Sequence, residues 1–423
     1  MNLLLKQLGR SHMALVNKVI QLADEEKIQA YLVGGIVRDL FLKRKNLDLD
    51  IVLEADAVIF AKKLAKELGC PVQVYEQFKT ATLVIGEKRL DLASARKESY
   101  LYPGALPVVS FGKIYDDLLR RDFTINALAL YLNGPSRGQC VDFFNGRADL
   151  KNKTIRILHD KSFEDDPTRL LRAVRFEERF YFRMDSRTRA LFKGAMAQNY
   201  PATVKAPRYF SEFSKILKEK KPLAALKRLN AFKGLRFIAN PLVVAWNDVA
   251  RLEQSIPLLE NKAGYKIFKA WWQLYLFAVL RNAPSSQLDR IFSQWQLPQS
   301  LKKSILEIQG KSDIINLSSK RVSPGQAARY LKSLSLEALI YLRATASNRA
   351  VAMRIDRFVL IDSKINLAIT GHDLIRLGVG NKLFIPFVLE AIREEKINRK
   401  IKTAAQEQLL AKKIISEHRY GKT

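Results

Sequence analysis

Hydrophobic periodicity changes character once along this 423-residue chain, near residue 150, and that change constrains the fold more than any other feature. Before it, helical spacing is interleaved with runs of strand period. Apolar residues fill 30–33 and stop at Gly34-Gly35, and Leu47, Leu49 and Ile51 alternate with Asp48 and Asp50. Residues 72–75, 80–85 and 89–93 read as further strands, and 57–68 has helical spacing. The first 30 residues read as a helix ending near Lys27, and 36–42 as one or two helical turns. Residues 101–114 hold Pro103, Gly104, Pro107 and Gly112 and read as a flexible loop. Beyond Leu150 strand signals fade. Helical periods dominate at 167–180, 209–218, 222–229, 264–280 and 324–334, and a basic run at 397–413 turns helical late. The expected fold is therefore α+β: a mixed head followed by an all-helical remainder, with no internal repeat.

Charge divides at the same place. Residues 1–150 carry 21 Lys+Arg against 18 Asp+Glu, a net of +3, whereas 151–423 carry 51 against 24, a net of +27. An imbalance of that size repels itself, and a polyanion relieves it, so the back of the chain is expected to bind nucleic acid. A hydrophobic content of 48% excludes a disordered basic tail. The charge-free run 270–280 is shorter than the roughly 20 residues a membrane span needs. The start, MNLLLKQLGR, lacks a signal-peptide core. Two cysteines, Cys70 and Cys140, and four histidines argue against a disulfide scaffold or zinc finger and fit a reducing cytoplasm.

Four local patterns point to chemistry. Asp48 and Asp50 sit two apart on a strand, so both carboxylates face one way; two such anions repel unless a hard cation such as Mg²⁺ bridges them. A solvated strand face would read the same. Asp91, flanked by Leu90 and Leu92, is a candidate third catalytic carboxylate or an ordinary exposed aspartate. Gly34 and Gly35 lie between strand and helix, where a backbone without Cβ can approach a phosphate and a helix start favours an anion. Arg38 adds charge there; a plain strand-to-helix turn is the alternative. In DDLLRRDFTINAL, Arg121 could meet a triphosphate or base and Asn126 a ribose hydroxyl, or Arg120, Arg121 and Asp122 could simply pair with one another.

The fourth pattern, FEDDPTRLLRAVRF at 163–176, is the most informative. Asp166 before Pro167 reads as an N-cap with Pro at the first helical position. Arg169, Arg172 and Arg175 follow at spacing three, close enough to need anionic partners: a nucleotide, or Asp165, Glu177 and Glu178. Cytosine and adenine both present an amino donor beside a ring-nitrogen acceptor. Asp166 accepting from the amino group and Arg169 donating to the ring nitrogen would select C and A. Uracil and guanine present the reverse order and would leave both protein groups unpaired, at about 1–3 kcal/mol each.

LVGGIVRD, LDLDIVLE, RRDFTINAL and DDPTRLLRAVRF, in that order, resemble the class II tRNA nucleotidyltransferase and bacterial poly(A) polymerase family. DLASARKESYLYPGALP resembles its mobile-loop region and VDFFNGRADL the end of its head; together these cover about 28–180. Arg208-Tyr209-Phe210-Ser211-Glu212 and Ile369-Thr370-Gly371-His372-Asp373-Leu374 resemble its body and tail more loosely. The resemblance implies a polymerase-β-like nucleotidyltransferase head at 1–150, a helical neck with a nucleotide-selecting helix at 151–240, and a tRNA-binding helical body and tail at 241–423. It places metal carboxylates on Asp48 and Asp50. Nucleotide contacts fall on Gly35, Arg38, Arg121, Asp166, Arg169, Arg172 and Arg175. Asp165 stands where the CCA-adding pattern often has Glu. The expected activity is template-independent addition of C and A from CTP and ATP to the tRNA 3′ end. Addition of CC only or A only, and poly(A) tailing, are its relatives within the family; the Gly371–Leu374 stretch leans toward tRNA. A non-catalytic RNA-binding protein is disfavoured by the intact Asp48, Asp50 and Arg169. A small-molecule nucleotidyltransferase is disfavoured by the +27 body.

Overall fold

A computed structural model of the chain describes residues 4–44, 48–86, 88–310, 317–319 and 321–420. Leu47, the first apolar position of the alternating strand, lies outside the described residues. The chain forms two compact units, one of residues 1–216 and 224–237, the other of 217–223 and 238–423.

The first unit opens with α1 (Arg10–Glu25), β1 (Ala30–Val33), α2 (Gly35–Phe41), β2 (Leu49–Leu53), α3 (Ala57–Leu68), β3 (Val72–Tyr75), β4 (Thr80–Ile85) and β5 (Lys88–Ser94). Next come β6 (Arg96–Ser99), β7 (Val108–Phe111), α4 (Ile114–Leu119), β8 (Ala129–Tyr131), β9 (Cys140–Val141) and α5 (Gly146–Lys151). Seven strands form a mixed sheet in the order β3-β4-β5-β2-β1-β8-β9, antiparallel except for the parallel pair β2/β5. Strand alternation sorts β2: Leu49, Ile51 and Leu53 are buried, while Asp50 shares the other side with Val52, which packs against Tyr31, Ile114 and Leu118. Helix α3 runs over the range its spacing predicts. The Asp56 carboxylate caps it by accepting from the Val58 and Ile59 N–H groups at 2.8 and 3.1 Å, and Gly69 ends it in the left-handed conformation.

Several expectations need correction. The 101–114 segment is not loop throughout: β7 pairs with β6, and α4 begins at Ile114. Val108 and Val109, β-branched, outweigh the Pro and Gly around them, with Pro107 just ahead of the strand. The first helix starts only at Arg10, after a separate 3₁₀ turn at Leu5–Gln7. Two short parallel strands, β10 (Thr154–Ile155) and β11 (Arg183–Met184), follow the head. Between and after them run α6 (Ser162–Asp165), α7 (Thr168–Phe180), α8 (Ser186–Ala197), α9 (Ala206–Leu217) and α10 (Pro222–Ala231).

The second unit consists of helices joined by turns, with no strand among its described residues. The 264–280 prediction shrinks to Trp272–Leu280, and Gly264, at the start of the predicted range, takes a positive φ (+85°) outside the helical region. That helix is buried from Leu274 to Leu280. Around it, Tyr341 donates to Asp248 at 2.6 Å and Arg281 pairs with the same carboxylate. A separate apolar cluster joins Ile369, Leu374, Val388, Ile392 and Ala411 under the last helix, Ala404–Tyr420. No helix among the described residues is long and apolar enough to cross a membrane.

Candidate active site

One cavity of about 780 Å³ in the first unit gathers eleven of the twelve residues singled out from the sequence: Gly34, Gly35, Arg38, Asp48, Asp50, Arg121, Asn126, Asp166, Arg169, Arg172 and Arg175. The twelfth, Asp91, lines an adjoining cavity of about 320 Å³ that also touches Asp50. The main cavity is walled by eight arginines against six carboxylates, a surplus of positive charge where a polyanion would sit.

The carboxylates come from the sheet. Asp48 is exposed just ahead of β2, and Asp50 is half-buried within it. Burial, joined by the nearby charges of Asp91 and Asp48, pushes the Asp50 carboxyl above the usual carboxylate range against the opposing pull of Arg121. A hard divalent cation is the partner that relieves such a pair, and two carboxylates completed by phosphate oxygens are a donor set that suits Mg²⁺. Among the described residues no group of three or more His, Cys, Asp or Glu is placed to hold an ion. Asp91 lies opposite Asp50 in the parallel register, but its carboxylate is engaged elsewhere. Arg89 Nε donates to both its oxygens at 3.0 and 2.9 Å, and Thr82, its neighbour across β4, donates to Oδ1.

The turn from β1 to α2 explains the first of the two glycines. Gly34 has φ +74°, and a Cβ there would lie 2.5 Å from Arg121 Nη1. Only glycine lets that guanidinium lie over the turn. Arg38 is 5% exposed and fully engaged. Nε and Nη2 fork onto Asp39 at 2.9 and 3.0 Å, Nη1 donates to Asn126 Oδ1 at 2.6 Å, and the guanidinium sits 4.6 Å from the Phe180 ring centroid. Asn126, read from the sequence as a ribose contact, spends its amide on the protein: Oδ1 takes Arg38 and Nδ2 donates to Asp122 at 2.9 Å.

Arg120, Arg121 and Asp122 do not pair with one another. Both arginines reach back one helical turn to Asp117, at 2.7 and 2.9 Å. Arg120 also reaches Glu98 at 3.0 Å. Asp117 is fully buried; burial alone would raise its carboxyl, but the two guanidiniums outweigh that and hold it below the usual range. Asp122 takes Arg172 at 2.6 Å. Burial would lower the Arg172 guanidinium, yet Asp122 and Glu212 leave it raised.

Helix α7 starts at Thr168, one residue later than expected, but the Asp166 carboxylate still accepts from the Thr168 N–H at 3.0 Å. Arg169 is 4% exposed. Its Nη1 donates to Ser162 Oγ at 2.8 Å and its Nη2 to the Arg120 carbonyl at 2.7 Å. The acids expected to serve the arginines are otherwise occupied: Glu177 holds Arg228, Glu178 holds Arg183, and Asp165 faces His159 at 3.8 Å. Arg38, Arg172 and Arg175 all lie within 5.5 Å of the Phe176 ring centroid, and the ring face offsets some of their mutual repulsion.

Residues 30–156 match the Poly A polymerase head domain. An A-adding tRNA nucleotidyltransferase of Halalkalibacterium halodurans is 35% identical over 382 residues, covering 88% of this chain and 85% of the relative. The chain belongs to the tRNA nucleotidyltransferase family. A second A-adding relative, from Geobacter sulfurreducens, is 30% identical over 98% of the chain; the chain spans only 48% of that protein's length. The solved Thermotoga maritima CCA-adding enzyme complexed with tRNA aligns with a TM-score of 0.78 at 30% identity, covering 98% of this chain and 97% of that one. CC-adding and CCA-adding members of the family also match, as do solved CCA-adding enzymes with CTP and with ATP. The family membership and the α+β fold agree with the sequence reading. Sequence reasoning missed Asp117, Glu98 and Arg208 as parts of the site. The spacing of Asp117 to Arg120 and Arg121 was a usable signal for the first.

Proposed function

We propose that the chain adds C and A nucleotides, without a template, to the 3′ end of tRNA, consuming CTP and ATP and releasing pyrophosphate. The observation that carries this reading is the meeting of Asp48 and Asp50 with Asp166 and Arg169 in one arginine-walled cavity. In this reading residues 1–150 perform the transfer, 151–240 choose the nucleotide, and 241–423 hold the tRNA through phosphate contacts that position without reading sequence. Asp48 and Asp50 would hold Mg²⁺, which when bound lowers the pKa of an attacking hydroxyl and neutralises a departing pyrophosphate. Gly34 makes room for the Arg121 guanidinium, which would neutralise charge on the triphosphate. Thr168 N and Oγ1 and the Arg208 guanidinium all approach Asp166 at Oδ1. Oδ2 would accept the amino group of C or A. Arg169 Nη2 has a second N–H for the ring nitrogen.

A second reading, addition of A alone, is favoured by the A-adding names of the relatives at 35% and 30% identity. Incubating tRNA transcripts that end before CCA, after C and after CC with CTP, ATP or both separates the two. Growth at every step supports the first reading. Growth only from CC with ATP supports the second. Long A tails on any RNA would overturn both.

Two further outcomes are expected. Asp166→Asn still caps α7 but offers an amide that can donate where the carboxylate only accepted. Its melting temperature should stay near wild type while discrimination against UTP and GTP weakens; Asp166→Ala should in addition lose about 0.5–2 kcal/mol of stability. An Asn variant with wild-type base preference would reduce Asp166 to a helix cap. The affinity of the full chain for tRNA should fall by orders of magnitude between about 50 and 200 mM salt, as counterion release demands for many phosphate contacts. A nearly flat salt dependence would remove the phosphate-gripping body.

A further inference from the structure

We infer that Arg89 is a positioning residue for the acceptor end of the RNA: it guards Asp91 in the unliganded protein and passes to the last phosphate of the RNA 3′ terminus when that terminus enters, leaving Asp91 to face the terminal hydroxyl. This rests on the proposed addition of nucleotides to tRNA. The register puts the residues concerned on one side of the sheet. Tyr75 lies opposite Thr80 in the β3/β4 pair, Thr82 opposite Asp91 in β4/β5, and Asp91 opposite Asp50 in β5/β2, while Arg89 stands two positions before Asp91. The other side carries Leu83, Leu90 and Leu92, all fully buried. The polar side lines the cavity of about 320 Å³, which shares Asp50, Arg120 and Arg121 with the larger one. Strand β2 runs between β1, which ends at the glycine turn, and β5. A triphosphate beside Gly34 and Arg121 therefore leaves the β5 side of Asp50 for the other reactant.

The hold of Arg89 on Asp91 is one that a phosphate can displace. Arg38, buried, forks two nitrogens onto the two oxygens of Asp39. The Arg89 side chain is 62% exposed, and its Nε alone serves Asp91, reaching both oxygens at 3.0 and 2.9 Å. Its Nη2 reaches Thr82 Oγ1 at 3.5 Å, beyond ordinary hydrogen-bond length. One donor shared between two acceptors at an exposed site is a weak tie. A phosphodiester offers two oxygens that accept a pair of guanidinium N–H groups in parallel, which is the arrangement arginine favours. The exchange does not strand Asp91, because Thr82 keeps its hydrogen bond to Oδ1 from the neighbouring strand. Tyr75, exposed on the edge strand β3, gives the same cavity a ring face on which a terminal base can stack.

The test pairs a substitution in the protein with a change in the RNA. Nucleotide addition is measured on a tRNA acceptor whose last phosphodiester is natural or replaced by a neutral methylphosphonate, in wild type, Arg89→Gln and Arg89→Lys, with KM for tRNA and for the triphosphate read separately. On the natural acceptor Arg89→Gln should lower kcat/KM for tRNA by about tenfold, the scale of one charge-assisted hydrogen bond, and leave KM for the triphosphate unchanged. The methylphosphonate should cost wild type the same factor and cost Arg89→Gln nothing more. Arg89→Lys, which keeps the charge without the fork, should recover part of the loss. Additive losses, or a KM for the triphosphate that rises as much as that for tRNA, overturn the inference. A wild type indifferent to the methylphosphonate overturns it without recourse to any variant. If wild type extends no tRNA, the proposed function fails and takes the role of Arg89 with it; if it extends tRNA and the losses add, the role of Arg89 alone fails.

Discussion

Asp48→Ala and Asp50→Ala are each expected to abolish nucleotide addition while leaving tRNA affinity near that of wild type. The two carboxylates belong to β2 and its approach, in a head whose sequence is almost charge-balanced, whereas the surplus positive charge lies beyond residue 150. Removing either acid leaves a single oxygen ligand group where a divalent cation needs at least the pair and the triphosphate. The measurement is single-turnover addition in Mg²⁺ beside a filter-binding titration with the same tRNA. Near-normal turnover in either variant would falsify the metal assignment. Equal loss of binding and turnover would move these residues from chemistry to RNA contact.

The second large effect falls on stability. Asp117→Ala should destabilise the head by about 3–5 kcal/mol, because it removes the buried carboxylate that two guanidiniums share, leaving Arg120 with Glu98 and Arg121 without an acidic partner at that position. The folded carboxyl lies below its unfolded value, so its contribution is present above the ordinary aspartate range, about pH 4. It is lost as pH falls through the depressed folded value. Urea unfolding at neutral pH, repeated under acid conditions, checks both statements: the gap between wild type and variant should be wide at pH 7 and narrow in acid. A variant as stable as wild type at pH 7 would show that Arg120 and Arg121 find other partners.

Much of the head was readable from pattern alone because strands of this sheet are short and either alternate, as β5 does, or form a compact apolar run, as β1 does. Helix α3 is the clearest case: its apolar spacing, Asp56 and Gly69 all agree on its limits. The hairpin of β6 and β7 was not readable. Its four-residue strands expose alternate positions, so no apolar run marks them, and the pairing joins Arg96 to Phe111 across a segment rich in turn residues. At the site, the residue types on α7 and β2 announced themselves by spacing. Their partners did not, because Arg172 finds Asp122 50 positions away and Arg169 is held largely by carbonyl groups that any sequence would supply. The protein partners of Asn126 were hidden for the same reason: a polar side chain in a cavity wall gives no local sign of whether it faces ligand or neighbour.

The run from Arg38 through Asn126, Asp122 and Arg172 to Glu212 is a line of alternating donors and acceptors with every interior link between 2.6 and 2.9 Å, and its last, an ion pair, at 3.6 Å. Donation runs from Arg38 through Asn126 to Asp122 and reverses there, because Asp122 accepts from Asn126 on one side and from Arg172 on the other. No member can change sign by itself: an arginine in place of Asp122 would face Arg172 at one end and the Asn126 amide at the other. Descendants of this sequence can therefore drift at these five positions only by paired replacement. Swapping a single segment from a diverged relative into this head should fail wherever the junction falls between Asn126 and Arg172, even when both parents are fully active.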